Sequence, residues 1–191
     1  MKILLLLLFI VFVILLSQRI QNNIKMQYIS YNGKKYKVRT TTYNKMQNVA
    51  KVLDGLYKKK DSLCEYIINH NLIHKHSQLK KLIQKKNIDF EEIDLKYQGE
   101  AAYSINKGER IGMCVYHKDK LIQDDNLMFF VLLHELAHIV SSKYAHDKEF
   151  WNNFRLLLQI AENANLYHYI DYNVQHDTYC GHNINHTPYK K

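Results

Sequence analysis

The first part of the chain changes from a two-residue period of apolar positions to a helical one, which predicts a β-hairpin followed by a long helix. Asn32-Gly33 separates two short runs, 28–31 and 34–38, that are rich in aromatic and β-branched residues. Asn-Gly suits a type I′ turn because both central residues of that turn have positive φ. A helical period then covers residues 43–69. Its apolar stripe comprises Met46, Val49, Ala50, Leu53, Leu56 and Tyr57.

The middle of the chain predicts a short helix and a second hairpin. Ser77 is placed to cap a helix that continues to Lys86, because a serine hydroxyl can accept a hydrogen bond from a free N–H of the first turn. Residues 101–106 and 110–117 alternate like strands on either side of a turn at 107–109. The chain is therefore expected to mix helices with antiparallel strands.

Two further helices are predicted in the second half of the chain. Residues 127–133 are all apolar, as in a helix buried inside a domain, and Asp124 or Asp125 can cap its first turn. A helical stripe also runs through residues 147–163. Its apolar members are Phe150, Trp151, Phe154, Leu157, Leu158 and Ala161. The sequence predicts one α+β domain over residues 20–191, long enough to have its own core.

The buried helix continues into His134-Glu135-Leu136-Ala137-His138, a pattern typical of a zinc site. Residues four apart lie one turn above each other on a helix, so His134 and His138 can both reach one metal ion. Zinc binds neutral imidazoles and lowers the pKa of a bound water to about 7, where a neighbouring carboxylate can accept its proton. Glu135 is placed for that role. The alternative is a core helix whose histidines are only hydrogen-bonded.

The motif and the residues after it resemble the zincin metallopeptidases of the WLM and SprT-like type, whose pattern is H-E-L-x-H, a spacer, and H-x-x-x-F-W beginning here at His146. The similarity is strongest to small metallopeptidase-like proteins of large DNA viruses. It covers residues 97–189, including a strand at 103–109 and the tail at 179–181. The resemblance implies a minimal zincin-like α+β domain with its active-site helix beside a small sheet, Zn²⁺ as cofactor, and a protein or peptide substrate. In zincins, such a strand aligns extended peptide through backbone hydrogen bonds.

The third zinc ligand is the member of the site that the sequence determines least. The resemblance implies His146, with seven residues between it and His138. If the helix continues past Ser142 before the chain turns, His146 lies at the start of the next helix and can face the metal. Glu162, on that later helix, and Glu149 are the alternatives. The predicted site therefore has His134, His138 and His146 as metal ligands and Glu135 as general base.

An apolar run at residues 3–16 follows Met1-Lys2 and predicts a membrane-directing segment. A helix of that length spans about 21 Å, which is short of a hydrocarbon core of roughly 30 Å. No A-x-A type of cleavage site follows it, so residues 1–19 are interpreted as an uncleaved anchor, with a cleaved signal peptide as the alternative. The expected location is membrane-associated, with a single N-terminal anchor. The greater positive charge after the run favours a cytosolic domain, although the whole chain is lysine-rich and the orientation stays open.

The cysteines do not form an even framework. Cys64, Cys114 and Cys180 include no C-x-x-C pair, which argues against a disulfide scaffold. Buried free thiols are the favoured state, and a Cys114–Cys180 bridge in an oxidising compartment is the alternative. Cys180, His182 and His186 have spacings that suit a second metal site, but a fourth ligand is missing, so an ordinary ordered tail is favoured.

The net charge of +9 and the pI near 9.3 leave a nucleic-acid partner open. The lysines form short runs typical of solvated helix faces, so nucleic-acid contact is only weakly supported. The favoured function is zinc-dependent hydrolysis of peptide bonds. The rivals are a non-catalytic, membrane-tethered zinc-binding module and a protease acting on DNA-associated proteins. The oligomeric state stays open, and so does the oxyanion donor. Its candidates are Tyr144, Tyr167, His168 and Tyr169.

Overall fold

A computed structural model gives the fold of most of the chain, which is mixed α+β as predicted. The described residues are 6, 9–13, 26–85, 87–94, 97, 99–118 and 120–189. Most of the predicted membrane segment, residues 1–19, lies outside them. Leu6 and residues 9–13 are helical and exposed. Within the described part of the chain, no helix is both long enough and apolar enough to cross a membrane.

A five-stranded mixed sheet is built on the two predicted hairpins. In chain order its strands are β1 (Met26–Tyr31), β2 (Lys34–Arg39), β3 (Asp89–Glu92), β4 (Ala102–Ile105) and β5 (Arg110–Met113). The spatial order is β1-β2-β3-β5-β4, with β1 and β4 at the edges. Asn32 and Gly33 both have positive φ, which confirms the predicted turn between β1 and β2. The second hairpin is also confirmed, although β5 ends at Met113 rather than His117.

The central strand β3 has no counterpart among the predicted elements. It pairs in parallel with both β2 and β5 and joins the two hairpins into one sheet. Its sequence contains Glu91 and Glu92, so it does not have the apolar pattern of a central strand, yet both side chains are buried. The Glu91 carboxylate accepts a hydrogen bond from the Tyr103 hydroxyl at 2.6 Å and lies 3.5 Å from the Arg110 guanidinium. Paired charges of this kind allow a carboxylate to be buried.

Five helices complete the main body of the described domain. In chain order they are α1 (Tyr43–Asn69), α2 (Leu72–Lys75), α3 (Leu79–Gln84), α4 (Asp125–Val140) and α5 (Lys148–Asn163). Asp124 caps α4 by accepting a hydrogen bond from the Leu127 N–H at 2.8 Å. The predictions for α3 were wrong in detail: its N-cap is Gln78 rather than Ser77, the Gln78 side chain makes no cap hydrogen bond, and the helix stops at Gln84.

Helix α4 is the centre of the packing and is buried on nearly all sides, as its apolar sequence predicts. It packs against α1, α3, α5 and the edge strand β4. The helix ends at Val140 and does not continue past Ser142. The earlier end gives the chain six residues, 141–146, in which to turn back toward the helix before α5 begins.

Two small hairpins lie outside the main sheet. The first pairs β6 (Tyr116–His117) with β7 (Lys120–Leu121). The second, hereafter the C-terminal hairpin, pairs β8 (Asp177–Tyr179) with β9 (His182–Ile184) in the tail, where the sequence predicted no strand. A disulfide joins Cys114 to Cys180, so the prediction of free thiols was wrong for these two residues, and Cys64 is free.

Candidate metal centre

Three histidine side chains converge at the C-terminal half of α4. The Nε2 atom of His146 lies 3.1 Å from the Nε2 atom of His134 and 3.1 Å from that of His138. Two ligands of a tetrahedral zinc ion, each at 2.0–2.1 Å, are about 3.3 Å apart, so these nitrogens are spaced for one metal ion. Three ring nitrogens that face one another cannot all be satisfied by mutual hydrogen bonds, because each nitrogen carries either one N–H or one lone pair and can take part in only one such bond.

The pKa values of two of these imidazoles are shifted in the direction that metal binding requires. Burial, followed by the neighbouring charges of His138 and His146, lowers the pKa of His134 to about 3. Burial, followed by His146 and Lys107, lowers the pKa of His138 to about 4. Both rings are therefore neutral at physiological pH and can each offer a lone pair to a metal.

The loop at residues 141–146 is held by three side chains, one from the turn between β4 and β5 and two from α5, which explains how His146 returns to α4. The Lys107 ammonium donates a hydrogen bond to the Ser141 carbonyl at 2.7 Å. Asn153 donates its side-chain N–H to the Ser141 hydroxyl at 3.0 Å. The Glu149 carboxylate accepts a hydrogen bond from the Ser142 N–H at 2.9 Å. These bonds satisfy backbone groups at the end of α4 and restrict the loop.

Phe150 supports all three histidine rings from the first turn of α5. Its ring centroid lies 4.8 Å from that of His134, and 4.5 Å from those of His138 and His146. Asp147 caps α5 by accepting a hydrogen bond from the Phe150 N–H at 3.1 Å. This bond fixes the start of the helix and therefore the position of the Phe150 side chain. The buried His138 Nδ1 has no hydrogen-bond partner within the described residues, so this ring is oriented by aromatic packing rather than by a polar neighbour.

Glu135 lies next to the cluster and lines the same cavity, with 6% of its surface exposed. Burial, with a smaller contribution from the charge of Glu100, raises the pKa of Glu135 to about 8. A carboxyl group with a pKa near neutrality can both accept and release a proton in a catalytic cycle. A metal cation at the histidines would favour the ionised form and lower this pKa.

The cavity beside the cluster has a volume of about 390 Å³. Its lining comes from α4, from β4 and the residues flanking it, from the loop after α4, and from β9. The edge strand β4 therefore lies along the cavity, where the resemblance implies that peptide is aligned. On α4, Phe130 and Val131 form part of the lining one turn before His134. The cavity wall is thus partly apolar, and the histidines and carboxylates form the rest of it.

The other predicted ligands are directed elsewhere. The Glu162 carboxylate accepts a hydrogen bond from the Tyr189 hydroxyl at 2.8 Å, and Glu149 is bonded to the Ser142 loop residue. Neither belongs to a possible metal-binding group within the described residues, whereas His134, His138 and His146 do. The second metal site is ruled out because Cys180 is in a disulfide and cannot act as a thiolate ligand.

One of the four predicted oxyanion candidates lines the cavity. Tyr144 does so from the loop after α4. Tyr167 is buried in the core near Phe130, and the backbone of His168 is bonded to Asn126. Sequence reasoning missed Glu100, Lys107 and His182 as cavity residues. No spacing to the motif marks them, because Glu100 and Lys107 lie well before the motif in the chain and His182 lies well after it.

The chain is similar to two viral proteins. It is 30% identical over 135 residues to an uncharacterized protein of Acanthamoeba polyphaga mimivirus, a match covering 66% of each chain. It is 32% identical over 101 residues to an uncharacterized protein of Invertebrate iridescent virus 6, which covers 51% of this chain and 55% of the relative. The chain thus spans less than two thirds of the length of either relative. No protein-family profile matches the chain, and no solved structure does.

Proposed function

We propose that this protein is a zinc-dependent peptidase with a zincin-like fold. The observation that carries the proposal is that His134, His138 and His146 converge on one point while Glu135 lines the same cavity beside them. Imidazole nitrogens are good zinc ligands, and a catalytic zinc site typically has three protein ligands and an open fourth position. The sequence resemblance to WLM and SprT-like zincins, and the position of β4 along the cavity, both support this fold.

In the proposed reaction, water attacks the carbonyl carbon of a peptide bond and the C–N bond breaks. Zinc, when bound, supplies a Lewis acid for the carbonyl and lowers the pKa of the attacking water. Glu135 accepts a proton from that water and delivers it to the nitrogen of the leaving amine. The backbone of β4, at the sheet edge, offers unpaired N–H and C=O groups to an extended substrate.

The placement of Glu135 favours catalysis over a structural role for the metal. A purely structural zinc site closes its fourth position with a protein ligand and needs no base. Within the described residues, the possible metal group contains only the three histidines, and the buried carboxyl group lies next to it on the cavity. The alternative of a DNA-associated substrate rests on the resemblance to SprT-like and WLM proteins and on the net charge of +9.

The test combines metal analysis with a cleavage assay on an unfolded protein substrate. Purified full-length protein is expected to hold one zinc per chain and to lose cleavage on chelation. Glu135→Gln should retain zinc and lose activity by about 10²- to 10⁴-fold, because it removes only the proton acceptor. Zinc loss in this variant would make Glu135 structural, and a zinc-loaded wild type that cleaves nothing would refute the proposal.

We also propose that residues 1–19 attach the protein to a membrane. The support is the apolar run at 3–16, of which the described members are exposed. The full chain is expected to remain in the membrane pellet after alkaline extraction, and a chain lacking residues 1–19 should be soluble. Recovery of the full chain in the soluble fraction would contradict this.

A further inference from the structure

The C-terminal hairpin contributes a histidine to the cavity. Cys180 and Gly181 form its two-residue turn, and both have positive φ. Across this turn, Tyr179 of β8 pairs directly with His182 of β9. Directly opposite residues of an antiparallel pair project from the same face, with Cβ atoms about 4.5–5.5 Å apart. The position of the Tyr179 side chain therefore indicates on which side of the hairpin His182 lies.

Tyr179 lies on the Glu135 side of the hairpin. Its side chain is fully buried, and its hydroxyl donates a hydrogen bond to the Cys114 carbonyl at 2.5 Å. Burial is the main cause that raises the pKa of Tyr179, and the nearby charge of Glu135 is the second. His182 shares this face and lines the cavity together with Glu135 and the three-histidine cluster.

The hairpin is fixed in this position by a covalent bond. The Cys114–Cys180 disulfide joins its turn to the residue that follows β5, 66 positions earlier in the chain. Together with the Tyr179 hydrogen bond, it attaches the hairpin through two bonds to Cys114, directly after the end of β5. His182 is half-buried on a regular strand. A catalytic group must be held in its working position before the substrate binds, and a side chain on a fixed strand is held more precisely than one on an exposed loop.

Most other polar groups on the cavity are already engaged or cannot donate. The Tyr103 hydroxyl donates to Glu91, and the Lys107 ammonium donates to backbone carbonyls of the loop after α4. The Ser104 hydroxyl is buried and has no hydrogen-bond partner among the described residues, so it is also able to donate, whereas a carboxylate such as that of Glu100 can only accept. Tyr144 also remains, but it is 65% exposed and lies on the loop.

We propose that His182 is a catalytic residue that donates an imidazole N–H to the scissile carbonyl oxygen as that oxygen becomes negative. The inference rests on the proposed peptidase function. His182 keeps its proton throughout: the proton taken from water passes through Glu135 to the leaving amine, and His182 supplies only a hydrogen bond. A donor preorganised toward a developing oxyanion acts mainly on kcat, because the bond strengthens in the transition state.

The experiment compares His182→Ala and His182→Gln with His186→Ala in the full-length, zinc-loaded protein. His186 is the matched control, since it lies on the same tail but outside the cavity lining, packed on Trp151 and bonded to Asn173. His182→Ala should lower kcat by about 10²-fold with KM and zinc content nearly unchanged. His182→Gln should recover part of the loss because its amide can donate, and His186→Ala should stay within about twofold of wild type.

Binding of a phosphinic peptide, whose anionic oxygens mimic the tetrahedral oxyanion, is measured on the same variants. His182→Ala should weaken this binding by about 10²-fold. If His182→Ala keeps both the kcat of the wild type and its affinity for the phosphinic peptide, the inference is overturned. The peptidase proposal stays intact in that case. The same loss in Tyr144→Phe, with none in His182→Ala, would assign the donor to the loop instead. A zinc-loaded wild type that neither cleaves peptide nor binds the phosphinic peptide would overturn both proposals.

Discussion

The ring of Phe150 packs against the imidazole of His138, with 4.5 Å between the ring centroids and 35° between the ring planes. This contact takes the place of the hydrogen bond that usually orients a metal-binding histidine, because His138 Nδ1 has no partner among the described residues. The aromatic residue of the H-x-x-x-F-W pattern is therefore part of the site as well as part of the core.

Phe150→Leu should weaken zinc binding by about 10- to 100-fold, the range found when the groups that orient metal ligands are removed. It should also lower the free energy of unfolding by about 1–3 kcal/mol. Phe129→Leu is the control, because Phe129 is equally buried on α4 but makes no ring contact with a histidine among the described residues. Zinc affinity is measured by competition with a chelator. Equal losses of affinity in both variants would make Phe150 only a core residue.

His146→Ala should abolish tight zinc binding, whereas Glu162→Ala should leave it unchanged. The reason is that the His146 Nε2 atom is 3.1 Å from both other imidazole nitrogens, while the Glu162 carboxylate is bonded to Tyr189. Zinc content after dialysis, measured by mass spectrometry, distinguishes the two variants. The opposite ranking would show that the metal is held by a different set of ligands.

In chelator-treated protein, the pKa shifts of the site predict that stability is greatest near pH 6.5. The pKa values of His134 and His138 fall from 6.5 to about 3 and about 4, so the unfolded chain binds more protons and stability rises with pH across that window. The pKa of Glu135 rises from 4.5 to about 8, so the folded chain retains a proton and stability falls as pH rises toward 8. Below pH 6.5 the two histidines change the stability more than the single carboxyl group does, so the net stability rises with pH there.

Urea unfolding at pH 5.5, 6.5 and 8 measures this dependence. Glu135→Gln should remove the decline between pH 6.5 and 8, because glutamine does not titrate, and should leave the rise below pH 6.5 in place. A decline of the same size in this variant would mean that other groups cause it.

Replacing Cys114 and Cys180 together by serine should lower the free energy of unfolding by about 2–5 kcal/mol, because the disulfide closes a long loop in the unfolded chain. Cys64→Ser is the control, since Cys64 is a free thiol. Thermal unfolding with and without a reductant provides the measurement. Identical midpoints for wild type and the double variant under oxidising conditions would show that the bridge does not form or does not contribute.

The sequence by itself determined the elements whose signals are local. The Asn32-Gly33 turn follows from its own dipeptide, the long helix α1 from its helical period, and helix α4 from its continuous apolar run. The motif histidines His134 and His138 share one helix face because a helix repeats every 3.6 residues. That part of the candidate site therefore needs no tertiary information.

The tertiary structure decided what depends on contacts between distant segments. Strand β3 is central although it contains two glutamates, because Lys37, Arg39, Tyr103 and Arg110 surround their carboxylates. The C-terminal hairpin exists because its turn is bridged to Cys114 and its tyrosine is buried, neither of which its own sequence pattern predicts.

The position of His146 has the same origin. Its approach to α4 depends on where the helix ends and on the loop contacts made by Lys107, Glu149 and Asn153. His182 reaches the cavity from a segment more than 40 residues beyond the motif, through a disulfide and a strand pairing. The local period of the sequence predicts on which face of a helix or strand a side chain lies. Which distant segments come into contact depends on tertiary packing, which no short stretch of sequence determines.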